Sequence, residues 1–295
     1  MVDTGYPAPA GKIVVRGEPP IRINKNIGVA TEMYPGRLTV RELTDYDIKV
    51  GDGILPPIGF LEFERSPLST RPANIDSIYT VDTEAAVIKG GGYAIRGKLA
   101  KGFVALEGDD LFSWGKGMVA PGCFIKGMPA IKVPFTKKTS VEDTNVDIPA
   151  HVLIHDVAVY VAVNDASGTI DVGFENATES GDLDGLLDGE SCASVGWTEH
   201  NLVDATDANN TLGALLYEVA IKDATGTPVY YRVPKMPGYE TDGTIKSLVY
   251  TTSNHTISGD LYLMVSSPGI VKVGKAGAGV SAIAADADII IEAVI

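Results

Sequence analysis

Four stretches of the chain carry residue types at spacings that could do chemistry. Gly92-Tyr-Ala-Ile-Arg-Gly97-Lys98 matches the opening of a phosphate-binding P-loop, in which glycines let backbone N–H groups approach phosphate and the lysine neutralises it. Leu99 then stands where the Mg²⁺-ligating Ser or Thr belongs. The interior Tyr-Ala-Ile-Arg is strand-like, and no helix follows to aim its N-terminus at phosphate. The segment reads as a hairpin strand. Gly189-Glu-Ser191-Cys-Ala193 approximates a nucleophile elbow, with His200 and His255 downstream as candidate bases. An elbow needs a strand before it and a helix behind it in a parallel α/β sheet, whereas here an acidic loop precedes it.

His151-Val-Leu-Ile-His155 would place two imidazoles on one face of a helix, as a zinc site requires. On a strand the same spacing separates them by about 13 Å, and the Val and Ile between them favour the strand. Neither Cys123 nor Cys192 has a CxxC partner, so no zinc site is expected. The acidic loop Asp182-Leu-Asp184-Gly185-Leu-Leu-Asp188-Gly189-Glu190 is the densest set of oxygen ligands. It departs from EF-hand spacing and reads as a solvated acidic turn. Ca²⁺ held by Asp182, Asp184, Asp188 and Glu190 is the alternative. Asn-x-Thr sequons begin at Asn176, Asn209 and Asn254, which matter only on a secreted chain.

The elements that must position these residues are strands. Short Val-, Ile-, Tyr- and Thr-rich stretches recur between Gly, Pro, Asn and Asp punctuation. They are Lys12–Val15, Arg37–Arg41, Ile58–Phe63, Ala86–Ile88, Ala94–Lys98, Val152–Val163, Thr169–Phe174, Val229–Val233, Lys246–Tyr250, Leu261–Val265 and Asp288–Val294. Positions 157, 159, 161 and 163 are all Val, which suits one buried sheet face. Only Ala205–Ala220 has a helical look, with Thr211 as its cap. The fold class is all-β with little helix.

Residues 1–20 read as an extended arm, because Pro and Gly at the density of Tyr6–Gly11 and Gly17–Pro20 do not pack as a core. Such an arm is either disordered or ordered by pairing with a neighbouring subunit. A style change near Val133-Pro134, reversed near Pro268-Gly269, suggests a discontinuous β domain of residues 21–133 completed by 268–295. A β-sandwich of residues 134–267 is then inserted in it, an arrangement that needs the ends of the insert close together.

Composition narrows the function classes. With 24 Lys and Arg against 38 Asp and Glu, the 295-residue chain carries a formal charge of −14, the wrong sign for nucleic acid or for anionic lipid. Apolar residues at 45% with 21% charged describe a folded globular protein. Two cysteines build no disulfide framework and suggest assembly in a reducing compartment. No run approaches the roughly 20 apolar residues of a membrane span, and MVDTGYPAPAGK lacks the basic start and apolar core of a signal peptide.

Three segments together resemble capsid decoration (cement, head-stabilising) proteins of tailed phages and archaeal tailed viruses. The first is Ile27–Leu38 with the turn Tyr34-Pro-Gly-Arg-Leu38, followed by Asp52–Gly59 and its end Pro57-Ile-Gly59-Phe. The second is Ile78-Tyr-Thr-Val-Asp82 and Ala86-Val-Ile-Lys-Gly-Gly-Gly-Tyr93, leading through Ala94–Leu99 and Glu107-Gly-Asp109 to a small strand around Trp114–Val119. The third is the carboxyl end, Val273-Gly-Lys-Ala276 through Asp288-Ile-Ile-Ile-Glu292. The resemblance implies a compact β-barrel-like decoration domain, with the inserted sandwich projecting outward as a knob or turret. It further implies a homotrimer that bridges the major capsid protein on the outer surface of the virion, made in the host cytoplasm. Catalysis, cofactor, nucleic-acid contact and membrane contact have no part in such a role. If the arm lies on the capsid, Tyr6 and Ile13, Val14 and Val15 are its anchors, and Arg16, Arg22 and Lys25 meet an acidic capsid surface.

Two rival readings stand beside it. One is a tail or fibre protein whose sandwich binds a host-surface glycan on Trp197, Tyr217, Tyr230 and Tyr231. The other is a hydrolase built on Ser191, or a calcium-dependent sandwich.

Overall fold

A computed structural model describes residues 13–19, 21–28, 33–42, 47–62, 72, 77–79, 84–175, 182–198, 211–222 and 229–295. The chain is all-β, 56% strand, and its described residues contain no helix beyond one 3-10 turn at Gly115–Gly117. The first strands are β1 (Val14–Arg16), β2 (Ile21–Asn26), β3 (Leu38–Arg41), β4 (Ile48–Val50), β5 (Pro57–Glu62), β6 (Glu84–Lys89), β7 (Ala94–Leu99) and β8 (Val104–Ala105). Next come β9 (Asp110–Ser113), β10 (Val119–Ile125), β11 (Met128–Thr136), β12 (Glu142–Ile148), β13 (Leu153–Val163), β14 (Thr169–Glu175), β15 (Leu187–Ser191) and β16 (Gly196–Trp197). The remainder are β17 (Tyr217–Lys222), β18 (Val229–Pro234), β19 (Tyr239–Glu240), β20 (Lys246–Thr252), β21 (Ser258–Ser266), β22 (Lys272–Ala276), β23 (Val280–Ser281) and β24 (Ala287–Ala293).

The chain divides into two compact units. One comprises residues 1–100, 104–121 and 267–295, the other residues 101–103 and 122–266. The sequence places the break at Val133-Pro134, but the second unit begins at Gly122, because β11 runs straight through Pro134, which sits opposite Asp260 of β21. A proline is tolerated there because β10 pairs with β11 only over Met128–Ile131. The N–H that Pro134 lacks would therefore have met no ladder partner on that side.

The first unit holds a five-strand mixed barrel in the order β7-β24-β22-β9-β10, closed where Val119 of β10 pairs in parallel with Leu99 of β7. Its strands come from residues 94–125 and from residues 272–293. Alternation writes the inside and the outside: Ile95 and Leu99 of β7 and Ile289 and Ile291 of β24 are buried, whereas Asp288 and Glu292 face out. So small a barrel leaves no volume for a side chain at every inward position. A Cβ on Gly97 would stand 2.5 Å from Ile291 Cδ1, and one on Gly274 would stand 2.5 Å from the Glu292 carbonyl oxygen. Ion pairs Lys98–Asp288 and Lys272–Asp110 clasp the outside. A second sheet in this unit runs β2-β6-β5-β3-β4, all antiparallel.

The second unit is a sandwich. Its larger sheet is β11-β21-β13, extended at the edge by β16 and β19; its smaller sheet is β12-β20-β14-β15. Val157, Val159 and Val161 of β13 and Leu261 and Leu263 of β21 supply one inner face. Ile170 and Val172 of β14 and Leu248 of β20 supply the other. Ring contacts Phe135–Tyr250 and Phe174–Tyr239, at centroid distances of 6.2 and 5.8 Å, join the two sheets.

Two local expectations are overturned. The helix read over Ala205–Ala220 is replaced in its described part by β17, which pairs with β18 over Tyr217–Lys222. Thr211 caps nothing; its carbonyl accepts a bond from the Asp188 N–H. The small strand expected around Trp114–Val119 is the 3-10 turn, with Lys116 in the left-handed region at φ 57°, and β10 starts only at Val119.

Candidate functional site

Among the described residues, an aromatic cluster with an exposed tryptophan lies on the outer face of the larger sandwich sheet. Cross-strand register builds it from two rows: Pro134–Asp260–Tyr160–Trp197 and, one step along, Lys132–Tyr262–Ala158. Tyr160 and Trp197 are direct partners and their rings meet edge-on at 5.4 Å. Trp197 also reaches Tyr262, two strands away, at 4.9 Å. On the intervening strand the register partner of Tyr262 is Ala158. The indole thus contacts two tyrosine rings and is still 55% exposed. Of the rival aromatic set, Tyr217 lies on β17 and Tyr230 and Tyr231 on β18, a separate two-stranded sheet. Their strands thus belong to a different sheet from that of Trp197. Sequence reasoning named Trp197 but missed Tyr160 and Tyr262. The available signal was the outward register of Tyr160 within the Val157–Val163 alternation.

The arm residues are only partly in view, since Tyr6 lies outside the described residues. Ile13 is 1% exposed, its carbonyl accepts the Arg96 N–H, and Val14 pairs with Ile95, so β1 is a strand of the chain's own barrel sheet. Ile13 is a core residue and offers no surface for another protein; Val14 and Val15 are half-buried. Arg16 forms an ion pair with Glu292, and Arg22 Nε lies 3.2 Å from a carboxylate oxygen of Glu62, itself 1% exposed. Both cations thus neutralise carboxylates of their own unit. Lys25 stands half-buried on β2.

The acidic loop folds as a strapped turn. The Asp182 carbonyl accepts bonds from the Phe174 and Gly185 N–H groups, and Asp171 accepts the Gly189 N–H at 2.7 Å. Burial, a hydrogen bond with Asp184 and repulsion from Asp184 and Asp188 push the Asp182 carboxyl up to about 6. Burial likewise raises Asp171 above the usual carboxylate range. Glu190 is buried, and among the described residues no three His, Cys, Asp or Glu side chains gather where a metal ion could be held. The four residues of the calcium alternative are not brought into one coordination sphere.

The remaining motifs resolve into structure. Gly92–Lys98 leads into strand β7. Ser191 ends the antiparallel strand β15 and is followed by bends through Val195, so it lacks the strand-to-helix setting of an elbow. His255 Nδ1 sits 2.9 Å from Asp165, while His200 lies outside the described residues. His151 occupies a turn at φ 57° and His155 bonds Ser266 Oγ at 2.8 Å, so the pair does not converge. Asn254 is exposed; Asn176 and Asn209 lie outside the described residues. Cys192 is buried, and burial pushes its thiol up to about 12. No described helix is long and apolar enough to cross a membrane.

Comparison with known proteins adds no family: no family model matches the chain, and neither a search of curated proteins nor one of solved structures returned a match.

Proposed function

We propose that the chain is a viral structural protein that decorates and stabilises the outer surface of an icosahedral capsid, as a homotrimer bridging subunits of the major capsid protein. The observation that carries the reading is the division of labour along the chain. The barrel takes its strands from residues 94–125 and 272–293, while the sandwich is built from the stretch between them. That is the organisation expected from the resemblance, in which a compact β domain sits on the shell and an insert projects outward. A net charge of −14 keeps such a protein soluble before assembly and suits a surface away from packaged genome.

Because Ile13 belongs to the core, the capsid-contact segment is drawn from the residues before it, with Tyr6 as anchor and β1 as the fixed root. The test is co-sedimentation with purified particles that lack this protein. The full chain is expected to pellet with them, and a chain without residues 1–12, which keeps β1, is expected to lose at least about tenfold in affinity. Undiminished binding of the shortened chain would remove the arm from the account; failure of the full chain to pellet would remove the capsid reading.

A further inference from the structure

We infer that residues 182–188 and 211–216 form a pH-gated seam within the sandwich, closed while Asp182 and Asp184 share a proton and loosened once both are ionised. The inference does not depend on the capsid reading. Backbone bonds hold the seam together. The Gly213 N–H donates to the Leu186 carbonyl at 3.0 Å, the Leu215 N–H to the Gly185 carbonyl at 2.8 Å and the Asp188 N–H to the Thr211 carbonyl at 3.0 Å. Leu187 forms a β-bridge with Leu212, and Leu186, Leu187, Leu212 and Leu216 are buried. The two segments approach so closely that a Cβ on Gly213 would stand 2.3 Å from the Asp184 carbonyl oxygen. A Cβ on Gly185 would stand 2.8 Å from Asp182 Oδ2 and 2.8 Å from Leu215 Cδ1. The Asp182 carboxyl and the Leu215 methyl therefore flank the same point of the seam, so a charge gained by Asp182 is gained at the contact itself.

The surrounding elements supply the charges that make the seam respond to pH. Asp182 and Asp184 are hydrogen-bonded to each other, which two carboxyls manage only while one of them holds a proton. β14 adds Asp171, which accepts the Gly189 N–H, and Glu175; β15 adds Asp188 and the buried Glu190. Residues 211–216 carry no titratable side chain. On β20, which flanks β14, Lys246 is ion-paired with Asp242. Lys235, whose N–H bonds the Leu216 carbonyl, is exposed. The neighbouring stretches 176–181 and 199–210, outside the described residues, contain Glu179, Glu199, His200, Asp204 and Asp207. Burial, then the bond to Asp184 and the charges of Asp184 and Asp188, push Asp182 up to about 6. Burial and the charges of Asp188 and Asp184 also raise Asp171. The closed seam thus holds its proton more tightly than an open chain, in which Asp182 returns towards 3.8. Closure is most favoured below that value and weakens as pH rises towards 6. Opening frees residues 211–216 and with them the root of the β17–β18 hairpin.

The experiment is native-state amide hydrogen exchange of the full chain at pH 4 and pH 7, read as protection factors so that the intrinsic exchange rate at each pH cancels. The amides of Asp188, Gly213 and Leu215 report the seam. Their protection is expected to fall about fivefold from pH 4 to pH 7, once solvent screening of the aspartates is allowed for. Low urea is expected to leave seam exchange unchanged, the mark of a local opening, while the amides of β13 follow global unfolding. Asp182→Asn and Asp184→Asn each put a permanent amide donor in place of the shared proton, and each is expected to keep the pH 4 protection at pH 7. Leu215→Ala, which loosens the seam without touching a carboxyl, is expected to lower protection by the same factor at both pH values. The urea midpoint of each variant separates a loosened seam from a lost fold. Seam protection that does not change with pH, that falls equally in the two asparagine variants, or that shows the urea dependence of β13 would overturn the inference.

Discussion

The barrel interior makes a prediction that depends on individual atoms. Gly97 and Gly274 both face Ile291, but they meet it differently. A Cβ on Gly97 has one contact closer than 3.0 Å, with Ile291 Cδ1 at 2.5 Å. A Cβ on Gly274 meets Ile291 Cγ2 at 2.7 Å and, closer still, the Glu292 carbonyl oxygen at 2.5 Å, which is backbone and cannot rotate away. Overpacking of this kind costs about 1–3 kcal/mol, so Gly97→Ala is expected in the lower half of that range and Gly274→Ala at or above its top. Ile291→Val removes Cδ1 and keeps Cγ2, at a cost of about 1 kcal/mol on its own. It should therefore rescue Gly97→Ala with a coupling energy of about 1 kcal/mol and leave the cost of Gly274→Ala unchanged. The two tryptophans make the assay specific, since Trp114 belongs to the barrel unit and Trp197 to the sandwich. In a Trp197→Phe background, urea unfolding followed by emission reports the barrel unit alone, which matters for a chain whose two units need not melt together. Equal coupling in the two cycles, or none in either, would refute the atomic account of barrel closure.

Two further predictions concern titrating groups in the sandwich. The folded-state pKa of Asp182 lies above its ordinary value of 3.8, at about 6, so the fold favours the protonated acid, and stability from this site falls as pH rises between those values. The full shift would amount to about 3 kcal/mol, and solvent screening of this half-exposed loop reduces it to about 1 kcal/mol. Asp182→Asn is then expected to stabilise the sandwich by about that amount at pH 7 and scarcely at pH 4, measured by urea midpoints; equal effects at the two pH values would contradict the assignment. Cys192, with its thiol pushed up to about 12, is expected to be silent to a thiol reagent at pH 8 until the chain unfolds, and rapid labelling of Cys192 in the folded protein would show that its burial is misassigned.

Period-two alternation made most of the fold legible. The valines at 157, 159 and 161 and the isoleucines at 289 and 291 announce strands with one buried face, and strands they are. Pairing was not legible, because a ladder such as β7–β24 joins residues almost two hundred positions apart and leaves no local trace. The stretch Leu-Leu-Tyr-Glu-Val-Ala-Ile-Lys, residues 215–222, satisfies both a helical and an alternating pattern. Its hairpin partner Val229–Pro234 decides between them. Pro134 misled in the other direction, since a proline reads as a break unless the missing neighbour on its N–H side is known. Of the aromatic face, the exposed Trp197 could be named from sequence. Tyr160 and Tyr262 could not be joined to it, because that takes the register of three strands.

The most direct test of the central claim is the number of copies of this chain per major capsid protein in purified virions, by quantitative mass spectrometry. A shell-wide decoration protein that sits at three-fold positions predicts a ratio near one, or near one-third. A few copies per particle would contradict shell decoration and assign the chain to a vertex, tail or fibre. Absence from virions would contradict the virion account altogether.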